Sequence, residues 1–319
     1  MKQFYITILI AVFSILSPSS FANDSTATIG AGGLVLTKSD KIAIESENLY
    51  ISPHKIEVDY IFKNISSENI TALVTFPFPV LKMEDYSEQD VPEFNEAPWD
   101  NFYQFEVKTD GEKINFKKEI KAFANGKDVT QELVKRNLPY GSYSRKLHDE
   151  LQKLSAEDKK NLEDLHIITS HGDYYAASWN VETKFYWEQS FPAGKEISIN
   201  HRYIPVTGKT FFTPASFSYT QKPYCIDSGT QAEIKKKFSL SSKTENLSSY
   251  NVEYILKTGA NWAGPIKNFK LTIDKEKPEA VASLCFDGIK KTGPTTFSTE
   301  IKNFTPQQDL KIIFLNTLK

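Results

Sequence analysis

From Lys55 to Lys63 the chain alternates: Ile56, Val58, Tyr60 and Phe62 are apolar, while Lys55, Glu57, Asp59 and Lys63 are charged, with Ile61 the one exception. A period of two places the apolar set on one side of an extended chain, so the segment predicts a half-buried strand. Asn69–Pro79 repeats the pattern, with Ile70, Ala72, Val74, Phe76 and Phe78 set against Thr71, Leu73 and Thr75. Asn64–Glu68 between them is polar, and the two strands read as an antiparallel hairpin. Pro77 and Pro79 cannot donate to a ladder, so the second strand ends there or runs along an edge.

The same periodicity returns later. In Tyr174–Phe191, the residues Ala177, Trp179, Val181, Phe185, Trp187 and Phe191 share one parity, and Glu196–Tyr203 continues with Ile197, Ile199, His201 and Tyr203. These strands are expected to pair with the early ones. Ile42–Ile51 reads as a further strand, and Phe102–Val107 with Lys113–Phe116 as a short hairpin turning at Asp110-Gly111, where positive φ is needed. Between about 128 and 168 the period becomes helical. Leu147, Leu151 and Leu154 recur at spacings of four and three, and Ser155 with Asp158 marks a capped restart before Leu162 and Leu165. Five short strand patterns follow a charged helix around Gln231–Lys237. The fold class is therefore mainly β: an Ig-like β-sandwich over 23–225 carrying an α-helical insertion, plus a smaller C-terminal β domain over 226–319. The boundary falls somewhere between Gly208 and Ser241.

The start of the chain has a different character. Met1-Lys2 is basic, Phe4–Leu16 carries no charge, and Ser17–Ala22 is small and turn-prone. As a helix the apolar run spans about 20 Å, short of a bilayer core of roughly 30 Å. Ser20 and Ala22 suit a signal-peptidase site, which predicts a leader over 1–22 cleaved between Ala22 and Asn23; the alternative is an uncleaved anchor. No later apolar run is long enough to span a membrane.

Composition narrows the function classes. Lys+Arg 38 against Asp+Glu 40 leaves a formal charge of −2, so there is no basic field for nucleic acid. Gly30–Gly33 lacks the Gly-Lys-Ser/Thr ending of a phosphate loop and the helix of a dinucleotide fingerprint, and no cofactor is expected. Cys225 and Cys285 are the only two cysteines. In an exported protein an even count favours a disulfide, and its long loop corresponds to about 4 kcal/mol. Two buried thiols or a reactive site are the alternatives, but neither cysteine has a local histidine or helix N-terminus to activate it.

Few residues are candidates for chemistry. Trp179 and Trp187 lie on a parity that is apolar throughout, so core packing outweighs a sugar-stacking role. Trp262 lies in the turn-like Thr258–Pro265, where an exposed aromatic is a candidate binding residue. His166, His171 and Asp173 cluster in sequence beside Ser170, suggesting a hydrolase or a metal site. The two histidines are nevertheless five apart, off a one-face helical spacing, and residues of this kind are also ordinary turn formers. No metal is expected. His201 on an apolar parity reads as a hydrogen-bonded core histidine ahead of a pH-sensitive or catalytic one, and Arg202 opposite it reads as facing solvent ahead of holding an anion. The acidic stretch Lys82–Asp100 reads as a solvated loop rather than a cation site.

Several strings together resemble one exported bacterial family, the domain of unknown function DUF4424. They are Asn23–Val35, Tyr60–Asn64, Phe76–Pro79, Trp187 with Phe191–Gly194, His201–Pro205, Tyr224–Asp227, Thr258–Ile266 and Phe304–Pro306. The resemblance covers nearly the whole chain after the leader. It implies a bacterial envelope protein and supplies no catalytic residues. The expected function is thus an exported, periplasmic, non-catalytic binding or interaction module whose partner is another envelope protein or a cell-wall component. A hydrolase or metal-dependent enzyme at His166, His171 and Asp173, and a small-ligand or glycan receptor, are the alternatives.

Overall fold

Every segment with a period of two becomes a strand in the computed structural model, which describes residues 24–30, 33–84, 99–205, 209–240 and 246–317. In chain order the first strands are β1 (Ser25–Gly30), β2 (Gly33–Thr37), β3 (Ile42–Ile51), β4 (Ile56–Asn64), β5 (Ile70–Pro77), β6 (Leu81–Lys82), β7 (Glu106–Thr109), β8 (Glu112–Lys113), β9 (Lys117–Ala124) and β10 (Lys127–Asp128). Three helices follow, α1 (Thr130–Val134), α2 (Arg145–Lys153) and α3 (Ala156–Asp164). Then come β11 (Ile168–His171), β12 (Tyr174–Ala177), β13 (Asn180–Phe191), β14 (Glu196–Tyr203) and β15 (Lys209–Phe212), with helices α4 (Phe217–Thr220) and α5 (Ser228–Leu240). The last strands are β16 (Leu247–Tyr254), β17 (Ile266–Asp274), β18 (Val281–Leu284), β19 (Lys290–Lys291), β20 (Thr296–Phe304) and β21 (Leu310–Thr317).

The central sheet has eight strands in the order β19-β20-β17-β3-β4-β14-β7-β8, antiparallel except for the parallel pair β17–β3. Its inner face carries Ile56, Val58, Tyr60 and Phe62, all buried, while Asp59 and Arg202 on the other face are exposed. Two smaller sheets cover that one inner face. The seven-stranded sheet, β10-β9-β13-β5-β1-β2 with β6 beside β13, brings Phe76, Phe185 and Trp187 onto it. The four-stranded sheet, β15-β16-β21-β18, brings Tyr254, whose hydroxyl lies 3.3 Å from that of Tyr60. The architecture is a mainly β sandwich in which one broad layer faces two narrower ones.

Two expectations fail. β4 and β5 do not form a hairpin: β4 pairs with β3 and β14, and β5 pairs with β13 and β1 in the opposite layer. The polar segment 64–69 is a corner between layers. Buried Asn64 holds it, donating Nδ2 to the carbonyls of Glu68 and Phe191 and accepting from Ser66 N–H through Oδ1. Alternation reports which face of a strand is buried, and both arms of a corner bury one face just as both arms of a hairpin do. Nor does a separate sheet-forming domain begin at 226. β17 and β20 belong to the central sheet, and Tyr254, Phe269 and Phe314 lie in one continuous core with Phe62 and Phe185.

The helical insertion forms where the period changes. Ser144 caps α2 by accepting from Leu147 N–H, Ser155 caps α3 by accepting from Asp158 N–H, and Leu147, Leu151 and Leu162 point into the core. Arg136 ties α1 to α3 by bonding Glu132 and Asp158; hydrogen bonds from Lys135 and then Arg136 hold the Glu132 carboxyl below its usual range, and those from Ser155 and then Arg136 do the same for Asp158.

Cys225 and Cys285 form a disulfide across a separation of 60 residues, joining the segment before α5 to the end of β18. Beneath it a second apolar cluster includes Phe212, Ile226, Ile234 and Ile313. Replacing both cysteines by alanine should cost about 4 kcal/mol in urea unfolding, from the closed-loop entropy. An unchanged midpoint would mean that this cluster alone fixes the segment.

Candidate functional site

A group of buried polar side chains lies where the three large sheets meet, and it centres on Asp24. Asp24 and His201 are both fully buried, with Asp24 Oδ2 2.8 Å from His201 Nε2. The Trp262 indole N–H donates to the Asp24 carbonyl at 2.6 Å, and its ring packs on Phe62 at 4.7 Å between centroids. Asn261 donates to Ser25 Oγ, and its own carbonyl accepts from Ser39 N–H. Beyond Ser25, β1 pairs with β5 through Ser25, Thr26 and Ala27 and with β2 through Thr26 to Gly30. Where the hairpin turns, Glu119 accepts from Leu34 N–H while Lys184 donates to the Leu34 carbonyl. The ion pair Lys184–Glu119 thus takes the place of a neighbouring strand.

The electrostatics follow from burial. Loss of water pushes the Asp24 carboxyl above its ordinary value, opposed by the charge and hydrogen bond of His201. Phe76, Phe105, Trp187 and Tyr60 surround the imidazole, with ring centroids 5.0 to 5.9 Å away. Close by, Tyr60 and Tyr254 are held well above the usual phenol range, first by burial and then by the buried Glu47 carboxylate. A carboxylate, an imidazole and a serine do occur together here, but not as a nucleophile with its base. The Ser25 hydroxyl donates to the Thr37 carbonyl at 3.0 Å, and the pair is sealed on all sides. This arrangement works as a clamp on the N-terminal strand.

The residues expected to act at a surface lie elsewhere. Trp262, taken as an exposed binding residue, is only 4% exposed, because Asp24 satisfies its indole and Phe62 and Phe191 cover its ring. His201 is the hydrogen-bonded core histidine that its parity implies. Trp179 and Trp187 are buried, Trp179 donating to the Tyr140 carbonyl. His166 ends α3 in the left-handed region with φ 56°, its N–H bonded to the Glu163 carbonyl. His171 and Asp173 flank the exposed turn of the β11–β12 hairpin, where His171 stacks on Tyr174. No group of three or more metal-ligating side chains occurs among the described residues. Ala22, Asn23 and most of the acidic stretch Lys82–Asp100 lie outside those residues.

One open hollow of about 490 Å³ lies at the surface beside the disulfide, lined by Ser218, Gln221, Lys222, Cys225, Ile226 and Asp227. The same connecting segment carries two exposed aromatics, Phe211 and Tyr219. Asp24 and the hollow were both missed at the sequence level. Asp24 sits in a polar run with no periodicity, and the hollow is shaped by the local path of residues 218–227, which no alternation or helical spacing in the sequence marks.

His201→Ala leaves a buried carboxyl without its partner and should cost about 3–5 kcal/mol. The pH dependence has a definite sign. A carboxyl whose folded pKa is raised gives stability that is fully present below its unfolded value and is lost as pH rises through the folded value. Wild type should therefore lose stability relative to Asp24→Asn as pH rises above the ordinary carboxyl range, followed by denaturant titration. The opposite slope would show that the charged pair outweighs desolvation.

No curated protein matches the chain. Among solved structures it is similar to a Legionella pneumophila protein described as a candidate nutrient-binding protein, at 17% identity over 92% of this chain and 70% of that one, with a TM-score of 0.47. It is also similar to the M1 zinc metallopeptidase of Deinococcus radiodurans, at 8% identity over 87% of this chain and 43% of that one, with a TM-score of 0.27. At such scores neither protein's activity transfers to this chain. The family comparison is of another order: residues 22–313 match the domain of unknown function DUF4424, and the chain belongs to that family.

Proposed function

We propose that this protein is an exported, non-catalytic interaction module of the bacterial envelope, residing in the periplasm and docking another envelope protein. The observation that carries this reading is the surface between β15 and α5. An open hollow there is braced by the Cys225–Cys285 disulfide, and the segment displays Phe211 at 59% and Tyr219 at 66% exposure. Aromatic side chains on a rigid, disulfide-held frame suit protein recognition, because they bring contact area at low conformational cost. The basic start, the apolar run Phe4–Leu16 and the small residues before Asn23 support export, as does a disulfide between the only two cysteines.

The alternatives draw less support. A glycan receptor loses its stacking residue once Trp262 is buried, and the hydrolase reading rests on histidines placed at a helix end and a hairpin turn. A tagged full-length protein carrying a photo-crosslinking residue in place of Tyr219, irradiated in intact cells, should yield one stoichiometric envelope partner by mass spectrometry. Background alone, from this position and from Phe211, would contradict the proposal.

A further inference from the structure

We infer that the Cys225–Cys285 disulfide is a substrate for thiol exchange: a dithiol reductase attacks the Cys225 sulfur from the open hollow, and the bond opens while the β core stays folded. A disulfide sealed in a core is reached only by unfolding, whereas an exposed one exchanges in the native state and belongs to the labile, regulatory class. Cys225 is exposed, Cys285 is partly exposed, and Cys225 lines the hollow of about 490 Å³ together with Lys222. The Lys222 ammonium favours an approaching thiolate, while the Asp227 carboxylate on the same wall is engaged with the Thr230 N–H at the start of α5. The backbone points the same way. Cys225 has φ 48°, in the left-handed region that suits glycine, because it closes the turn after α4: its N–H donates to the Lys222 carbonyl and the Ile226 N–H to the Gln221 carbonyl. Opening the bond lets a non-glycine residue leave that region.

The reaction balances in two exchanges. A thiolate of the reductase attacks Sγ of Cys225; a mixed disulfide forms, the Sγ–Sγ bond breaks, and Cys285 leaves as a thiolate that takes a proton from water. The carbonyls of Lys222 and Pro223 lie 3.7 and 3.6 Å from the Cys285 sulfur. Their oxygens repel a thiolate attacking at Cys285 and accept its S–H once it has left. The second thiol of the reductase, deprotonated, then attacks the reductase sulfur of the mixed disulfide and releases Cys225. The reductase gives up two electrons and gains a disulfide; this protein takes them up and gains two thiols. The segment keeps weaker anchors, among them Ile226 in the small apolar cluster and the Ser283 hydroxyl on the Tyr224 carbonyl. The consequence for binding rests on the docking reading proposed above: reduction loosens the surface that carries Tyr219 and weakens docking there.

The test uses the folded, oxidised protein and a thioredoxin-type reductase with a Cys-x-x-Cys pair. With its resolving cysteine changed to serine, the reductase should be trapped on Cys225 in preference to Cys285 by about tenfold in peptide mass spectrometry. The intact reductase should open the bond in the folded protein within about threefold of its rate on urea-unfolded protein, with near-ultraviolet circular dichroism retained. The amides of Tyr224 to Ile226 should then exchange hydrogen at least about tenfold faster than in the oxidised form. Reduction only after unfolding, loss of the core signal on reduction, or trapping on Cys285 would overturn the inference. Photo-crosslinking from position 219 to the envelope partner, with oxidised and with reduced protein, tests the consequence separately, and its yield should fall severalfold on reduction. An undiminished yield would overturn redox control of docking. No crosslink in either form would instead remove the docking reading and leave the exchange chemistry standing.

Discussion

A carboxylate buried without water has to find a partner, and in this protein that requirement organises the seam between three sheets. Asp24 meets His201 on the central sheet and places its carbonyl under the Trp262 indole. A segment whose buried apolar residues, among the described ones, are Ala27 and Leu34 becomes an interior part of the fold. Apolar packing alone would hold such a segment weakly. Directional bonds in a low dielectric hold it in one place, because any displacement leaves a charged or polar group without water and without a partner.

The rest of the architecture depends on that closure. The central sheet presents one continuous apolar face, and neither smaller sheet covers all of it. Tyr254 and Tyr60 meet from the four-stranded side, and Phe76, Phe185 and Trp187 cover it from the seven-stranded side. The line between the two smaller sheets is where Phe62, Phe191 and Trp262 pack and where Asp24 is held. The disulfide does comparable work at the far edge, where the 214–240 segment has a small apolar cluster of its own and a covalent tie to β18.

Much of this was legible from residue order. Strands β3, β4, β13 and β14, the buried parity of Trp179 to Phe191 and the Ser155 cap all follow from local pattern, and the pairing of the two cysteines follows from their even count. Partnership between strands was less legible. The corner at Asn64 looks like a hairpin turn until its buried amide is seen bridging to Phe191, and β17 looks like part of a second domain until it lies parallel to β3. Trp262 shows the limit most clearly. Its neighbours Gly259, Gly264 and Pro265 announce a turn, and turns are usually exposed. This one folds inward because a carbonyl more than 200 residues away needs its indole. Nothing near Trp262 in sequence carries that information.

The central claim is that Asp24 to Ala27 belong to the core and are not a tail. Native-state hydrogen exchange tests it directly, through the amides of Ser25 to Ala27 and the indole N–H of Trp262. These protons should exchange only through the opening that releases the Tyr60 and His201 strands, with the same free energy and the same denaturant dependence. Exchange of residues 25–27 through an independent, low-energy opening, with the central sheet still protected, would contradict the account.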